Sequence, residues 1–500
     1  MRDKLRKIIE SKVGIRIDNF CNSVWYIIAI GAVCVFCHTL DIPVVGAALL
    51  SVLLVPALLF CKNSFVLAPF LMMCSFVISE DTMPQSGYYN NPAYISVLSI
   101  FLAFIVAAFV INLVYYNKWK LIFKRAYITV SLCLVTVVLV MGGIGAPSLS
   151  WAGVGTALAI AITMFLPYAM LVNCGEYNGR KSVEYFAWAL ITASAVLFAA
   201  VIKQYIKYDL SLDYHPKSLI VFGYAISNTG AAFVVIALPM TFYMAYIYKH
   251  GYAFLAAIAM EVITIALTFS RASLVVALPG TIIVAVALCF VKKKGRLGYW
   301  IAFGISAVAV VAVAIVYRNY LSDNLSALIN GNVSDSGRFD LWEIGFEAWK
   351  SYPIVGVGLN FLPQMGYRYY SFHNTILTYL FCNGVIGLLA YLYHRYKSVR
   401  LVFSAKLTSE RVFLALSVLA MLLNALLDIG MSMPPHLLYY GIMLALIECD
   451  VRKTKAEQAS VTEDKSSEEN NGGNNIEPVP DDNKSANDES IDDAALASNQ

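Results

Sequence analysis

Long apolar runs separated by short polar punctuation dominate the chain. They fall at 24–40, 44–60, 65–79, 93–115, 126–142, 153–172, 183–202, 227–248, 252–269, 272–291, 299–316, 372–394, 411–428 and 436–449. Most reach roughly 17–25 residues, the length an α-helix needs to cross a bilayer core of about 30 Å. The pattern predicts an all-α, polytopic helical membrane protein with about 12–14 transmembrane helices. Composition agrees. Hydrophobic residues make up 59% of the 500 positions and charged residues 14%, against about 25% charged in soluble proteins. The basic N-terminus precedes a full-length apolar run without a small-residue cleavage site, so that run is expected to stay as a span.

The connections between runs alternate in charge. One set carries Arg2 to Arg16, Lys62, Lys118 to Arg125, Arg180/Lys181, Lys249, Lys292 to Arg296 and Arg395 to Lys406; the intervening connections 80–92 and 143–152 carry no Lys or Arg. Basic short loops mark the cytoplasmic side. Both termini are therefore expected in the cytoplasm of a bacterial cell, with 203–226 and 317–371 outside the cytoplasmic (inner) membrane. The organisation predicted is a basic N-terminus (1–23), a membrane block (24–316), one large extracytoplasmic loop (317–371), a second membrane block (372–449) and an acidic cytoplasmic tail (450–500). The last 50 residues hold five Lys/Arg against 12 Asp/Glu, and the first 450 hold 31 against 20. The tail has too few apolar residues to offset chain entropy and is expected to be disordered from 456. The basic excess belongs to the membrane surface and gives no sign of nucleic-acid binding. Ten scattered cysteines, including Cys34 and Cys37 inside the first span, read as small apolar filler.

The chemistry is concentrated in the large loop, since loops beyond about 12–15 residues are usually functional or disordered. Residues 337–350 (GRFDLWEIGFEAWK) have helical amphipathic spacing. Phe339, Trp342, Phe346 and Trp349 share one face, opposite Asp340, Glu343, Glu347 and Lys350. Such a helix suits the membrane interface or a lid on the bundle. It carries Arg338 at its N-terminal end, where helix dipole and guanidinium together favour an anion. A turn follows at Pro353, Gly356 and Gly358. Tyr367, Tyr369, Tyr370 and Phe372 then crowd the entrance of the next span. They read equally as an aromatic belt or as stacking faces for sugar rings. His373 stands at that mouth. Arg271 lies in TFSRASL between two apolar runs. An arginine at membrane depth faces a protein partner or an anionic ligand. The alternation of loops puts Arg271, Arg338 and His373 on one side, a set that suits a diphosphate held by guanidinium groups beside a general base.

These residues resemble the O-antigen ligase and O-antigen polymerase family of bacterial membrane glycosyltransferases. The family pattern of His, a polar residue, nine residues, Gly, two residues and a small residue reads here as His373, Asn374, 375–383, Gly384, Val385-Ile386 and Gly387. Upstream, Arg338, Trp342, Pro353, Gly356 and Gly358 follow the family order, as do Ser270-Arg271 at a span boundary and, more weakly, 222–239. The resemblance covers about 220–395; the earlier spans match in hydropathy alone, and the acidic tail has no counterpart.

The resemblance implies a glycosyltransferase of the C-type membrane fold that needs no metal and no cofactor. Its donor is a glycan on a polyprenyl diphosphate and its acceptor a glycan or lipid-linked sugar, with membrane lipid around it and polysaccharide-assembly proteins as potential partners. Arg271 and Arg338 would hold the diphosphate and His373 would take the acceptor's proton. Asn374, Tyr369, Tyr370 and Trp342 complete the expected substrate site. The acceptor choice leaves ligase, surface-polysaccharide polymerase and protein O-oligosaccharyltransferase open. A transporter or flippase of lipid-linked sugars is the alternative of a different class. It would place charges near the bilayer midplane and show inverted repeats, whereas here the polar residues gather in one loop.

Overall fold

A computed structural model gives the structure of the chain. It describes residues 7, 9–78, 92–122, 124–208, 221–222, 225–291, 295–316, 318, 337–367, 372–428 and 434–472. Helices follow one another as α1 (Lys12–Cys21), α2 (Val24–Thr39), α3 (Pro43–Phe60), α4 (Ala68–Met73), α5 (Pro92–Tyr115), α6 (Trp119–Ile122), α7 (Thr129–Met141), α8 (Trp151–Cys174) and α9 (Arg180–Lys207). A two-residue antiparallel pair, β1 (Val221–Phe222) and β2 (Ala225–Ile226), precedes α10 (Ser227–Ile247). The order continues through α11 (Phe254–Leu267), α12 (Arg271–Val291), α13 (Arg296–Val316), α14 (Arg338–Ser351), α15 (Phe361–Gln364), α16 (Thr375–Val402), α17 (Ser409–Leu427) and α18 (Pro434–Gly472).

Seven of these helices (α3, α8, α9, α10, α12, α16 and α17) are long and apolar enough to cross a membrane, and α1 with α2 form a pair bent by 69°. Five shorter apolar segments of 10–17 residues sit among them. The chain is a polytopic helical membrane protein. The run 65–79 is broken where the sequence suggests one span. A 3-10 turn over Ser64–Leu67, α4, and a second 3-10 turn over Cys74–Val77 divide it, with Pro69 placed where α4 starts. Side chains close several helix ends: Ser150 accepts from Gly153 N–H at 3.1 Å and Thr408 from Arg411 N–H at 3.1 Å.

Helix α10 is the axis of the bundle, buried nearly all round and packed against α9, α11, α12 and α17. Helices α12 and α17 turn much of their apolar surface outward, as lipid-facing helices do. At the other end of α17 the fold is locked by a fully buried ion pair. Arg411 donates to Asp450 Oδ2 from Nε at 2.9 Å and Nη2 at 2.7 Å, and from Nη1 to the carbonyls of Val402 and Ala405. Asp450 also accepts from the Thr408 and Tyr177 hydroxyls. Burial, and then the carboxylate beside it, push the Tyr177 phenol well up. All ten cysteines are free thiols, most of them buried. Residues 454–500 form a second unit, of which 454–472 are helical. The helix thus runs past 456, where the sequence reading begins disorder; Ala, Glu, Gln and Lys in this stretch are good helix formers.

One break in α16 positions everything above it. Gly384 has φ 66° and ψ −167°, values only glycine adopts readily. The turn 353–358 docks into that break. Val357 and Gly358 N–H donate to the carbonyls of Phe381 and Cys382 at 2.8 Å, while Val385 and Ile386 N–H donate to Pro353 and Ile354 at 2.9 and 3.3 Å. The corner after α7 joins in, with Gly143 N–H donating to Val355 O at 3.0 Å. Asn383 Nδ2 donates to Val138 O at 3.1 Å and Ser148 Oγ to Val357 O. Backbone groups that a broken span would leave bare in lipid are therefore paired within the protein.

Candidate functional site

Four helix ends meet at the candidate site. Helix α14 begins with Arg338 behind a left-handed Gly337 (φ 73°), and its buried face is Leu341 and Gly345. A Cβ on Gly345 would stand 2.5 Å from Phe381 and 2.6 Å from Phe372, so the glycine lets α14 lie directly on α16. Phe339 and Phe346 stay exposed, 63% and 45%. The helix is thus both packed on the bundle and aromatic on its outer side. Trp342, half-buried, spends its indole N–H on Phe372 O at 2.7 Å, which fixes the backbone next to His373.

His373 has a left-handed φ of 53°, uncommon for a residue with a side chain. Asn374 explains how it is held. Its Oδ1 caps α16 by accepting from Leu377 N–H at 3.0 Å, and its Nδ2 donates to Leu426 O at 3.0 Å. Thr375 Oγ1 donates to Ala425 O at 3.0 Å. Residues 372–375 are thus stitched to the end of α17.

That stitching brings His373 to Asp428, the C-cap of α17. Nδ1 lies 3.0 Å from Asp428 Oδ1, with the two side chains 15% and 4% exposed. Arg338 converges on the same carboxylate: Nη2 is 3.9 Å from Oδ2, and Nη1 donates to Leu427 O at 2.6 Å. Arg271 opens α12 after a tight turn in which Phe269 has φ 53°. Ser273 Oγ, two residues on, accepts from Asn424 Nδ2 at 2.9 Å, one turn before Asp428 on α17. The N-terminal end of α12 therefore abuts the same end of α17. Tyr369 and Tyr370 lie outside the described residues.

The electrostatics run against local helix stability. Arg271 and Arg338 occupy helix N-termini and Asp428 a helix C-terminus, each the unfavourable end of the dipole for its charge. Two guanidinium groups at helix N-termini and one shielded carboxylate thus share one end of the bundle. The carboxylate of Asp428 meets the imidazole at Nδ1, so Nε2 is the ring nitrogen on the side away from it. Below the site, an apolar groove of about 150 Å³ runs between α10, α12 and α17, lined by Leu238, Phe242, Ala277, Gly280, Phe413 and Leu423 among others. Its walls include the helices that carry Arg271 and Asp428.

Residues 254–392 match the family model described as O-antigen ligase. The chain carries an O-antigen ligase domain. The match takes in Arg271, Arg338, Trp342, His373, Asn374 and Gly384, and ends before Asp428. Among curated proteins, no match to the chain is found. The O-antigen ligase domain associates the chain with glycan transfer of the ligase and polymerase type.

Asp428 is the residue that sequence reasoning misses. Its signal was a carboxylate ending the otherwise apolar stretch MLLNALLD. A charge at the end of a span looks like an ordinary boundary until its partner, 55 positions away, is known.

Proposed function

We propose that this protein transfers or polymerises a glycan from a polyprenyl-diphosphate donor onto a sugar acceptor at the outer face of the cytoplasmic membrane, as an O-antigen ligase or surface-polysaccharide polymerase. The observation that carries the reading is the contact of His373 Nδ1 with the shielded Asp428, with Arg338 on the same carboxylate. In this reading the acceptor hydroxyl gives its proton to His373 Nε2 as its oxygen forms the new bond to the anomeric carbon. The bond from that carbon to the diphosphate oxygen breaks, and the leaving diphosphate keeps the electron pair. Asp428 stabilises the imidazolium that forms. Arg271 and Arg338 offset the growing charge on the diphosphate. A single displacement inverts the anomeric centre, and the step draws on no metal. The apolar groove beneath Arg271 and Asp428 supports a lipid-borne donor, whose chain needs a path out of the bilayer.

The test is complementation of a deletion strain with wild type, His373→Ala, Arg271→Ala or Arg338→Ala, with membrane levels measured. Surface polymer should be lost and lipid-linked precursor should accumulate in each variant. Long accumulated chains identify a ligase and single repeats a polymerase. Full restoration by all three variants would overturn the site and favour a transporter of lipid-linked sugars.

A further inference from the structure

A cleft opens at the end of α14 opposite Arg338. The stripe that buries Leu341 and Gly345 continues at Ala348 and Tyr352 (i, i+4, i+7, i+11). There the packing gives way to a hollow of about 250 Å³ between α14, the segment around α15 and the corner that joins α7 to α8. Val357, Phe361 and Met365 give it apolar surface, and Ser351, Tyr352 and Gln364 give it hydroxyls and an amide. Ser351, Gln364 and Met365 are exposed, so the hollow is open to the medium. It has room for about one or two sugar rings, set against the roughly 300–1,000 Å³ of sites for drug-sized ligands.

The lining is held in advance. Val357 N–H donates to Phe381 O at 2.8 Å, and Val357 O accepts from Ser148 Oγ. Gln364 Nε2 donates to Ser148 O at 3.4 Å, and the Trp349 indole N–H fixes the exit of α14 by donating to Pro353 O at 3.2 Å. The bonds that fill the break in α16 therefore also shape the cleft. Its own hydrogen-bonding groups are mostly unspent. Among the described residues the Ser351 and Tyr352 hydroxyls find no partner, and Gln364 uses one N–H of its amide. No charged side chain lines the hollow among the described residues. Glu347 and Lys350, on the turn before it, are paired with each other at 2.6 Å.

We propose that this cleft is a saccharide subsite that takes an uncharged sugar residue of a glycan substrate. The inference rests on the glycan-transfer reading of the His373 site. A sugar ring needs donors and acceptors for its hydroxyls and apolar surface for its C–H face, and the mixed lining offers both. A phosphate or carboxylate would find no cation there. An acyl chain would strip water from the hydroxyls and the amide without giving them partners. Position agrees. Arg338 and Ser351 are the two ends of α14, about 20 Å apart at 1.5 Å per residue. The cleft shares no helix with the apolar groove of α10, α12 and α17, so it stands apart from the lipid end of a donor. A glycan reacting at His373 thus reaches the cleft with a sugar several residues from its reacting end. The subsite grips without touching the reacting atoms, so its loss raises KM and leaves kcat unchanged.

The test uses the full chain in detergent. The probe is a sized set of oligosaccharides released by mild acid from the producing strain's own surface polysaccharide. Wild type, Gln364→Ala, Ala348→Leu, Glu347→Gln and His373→Ala, each monodisperse, are compared for probe binding by saturation-transfer NMR and for retained lipid by native mass spectrometry. Gln364→Ala should bind about tenfold more weakly, the scale of one or two hydrogen bonds between uncharged groups. Ala348→Leu fills the hollow and should lose binding, whereas Glu347→Gln and His373→Ala should keep it. In reconstituted transfer, Gln364→Ala should raise the KM of one glycan about tenfold at unchanged kcat. Varying donor and acceptor in turn shows which of the two occupies the cleft. Unchanged probe binding in both Gln364→Ala and Ala348→Leu overturns the subsite, and loss of transfer in His373→Ala would then leave the catalytic reading standing. Transfer retained by His373→Ala overturns that reading instead, with probe binding still reporting on the cleft. Lipid lost from Ala348→Leu with probe binding intact overturns the saccharide in favour of an acyl chain.

Discussion

Replacing Asp428 with Asn removes one charge and little else. The amide oxygen can still accept from His373 Nδ1 at the 3.0 Å the carboxylate occupies, so the imidazole keeps its orientation. In the proposed mechanism, what disappears is the negative charge facing the imidazolium that forms as the acceptor proton arrives. Two unit charges about 4 Å apart at an effective dielectric of 20 interact by about 4 kcal/mol. Both side chains are well shielded, so little of that is screened away. At 1.36 kcal/mol per decade the expected loss in turnover is about 10³-fold. The assay is glycan transfer by purified, reconstituted protein with saturating lipid-linked donor. Donor KM should change little, because Arg338 keeps its bond to Leu427 O, and Asp428→Glu should recover part of the rate. Asp428→Asn protein that folds normally and turns over at more than half the wild-type rate would refute the proposed role of the carboxylate.

Three further outcomes follow from the geometry. Gly384→Ala forces a Cβ to within 2.1 Å of Ile354 O at a positive φ; unfolding temperature and transfer should both fall sharply, whereas Gly145→Ala, with nothing within 4 Å, should cost about 1 kcal/mol of backbone strain and leave transfer intact. Trp342→Phe removes the donor to Phe372 O; a loss of about 1–3 kcal/mol should appear as lower turnover in protein whose membrane level is nearly normal. Arg411→Ala leaves Asp450 buried without its cation, a loss of about 3–5 kcal/mol; size-exclusion profiles should show little folded protein, with whatever folds retaining normal turnover per molecule.

Much of this architecture was legible because hydrophobic length is a strong signal: α3, α8, α9, α10, α12 and α17 lie close to the apolar runs. The breaks were not. Nothing local in the run 65–79 except Pro69 announces three short turns, and Gly384 inside an apolar stretch reads as a tolerated glycine until the 353–358 turn is seen to fill the gap. Motif residues were found with their functions only partly visible. Asn374 reads as a substrate contact, yet both ends of its amide are committed to Leu377 and Leu426. Trp342 reads as part of the substrate site on an amphipathic helix, yet its N–H holds the chain beside His373. The aromatic stripe of α14 was legible, but its packing runs through Gly345, because a missing side chain leaves no hydrophobic mark. Asp428 needed the third dimension, since its partners lie in segments far away in sequence.

The broken helix also bears on how the protein reaches its final state in the bilayer. Residues 375–383 span about 14 Å as helix, less than half the apolar thickness, and cannot cross alone. Bare carbonyls at Phe381 and Cys382 would cost several kcal/mol each in hydrocarbon. So α16 has to enter the membrane either as an uninterrupted helix that later opens, or with the preceding turn already laid against it. Every partner of the break precedes Gly384 in the chain, yet the cap on His373 comes from Ala425, Leu426 and Asp428. The candidate site at the N-terminal end of α16 is therefore among the last parts to form during biogenesis, and a ribosome stalled before residue 425 carries a chain that still lacks the residues holding His373 in place.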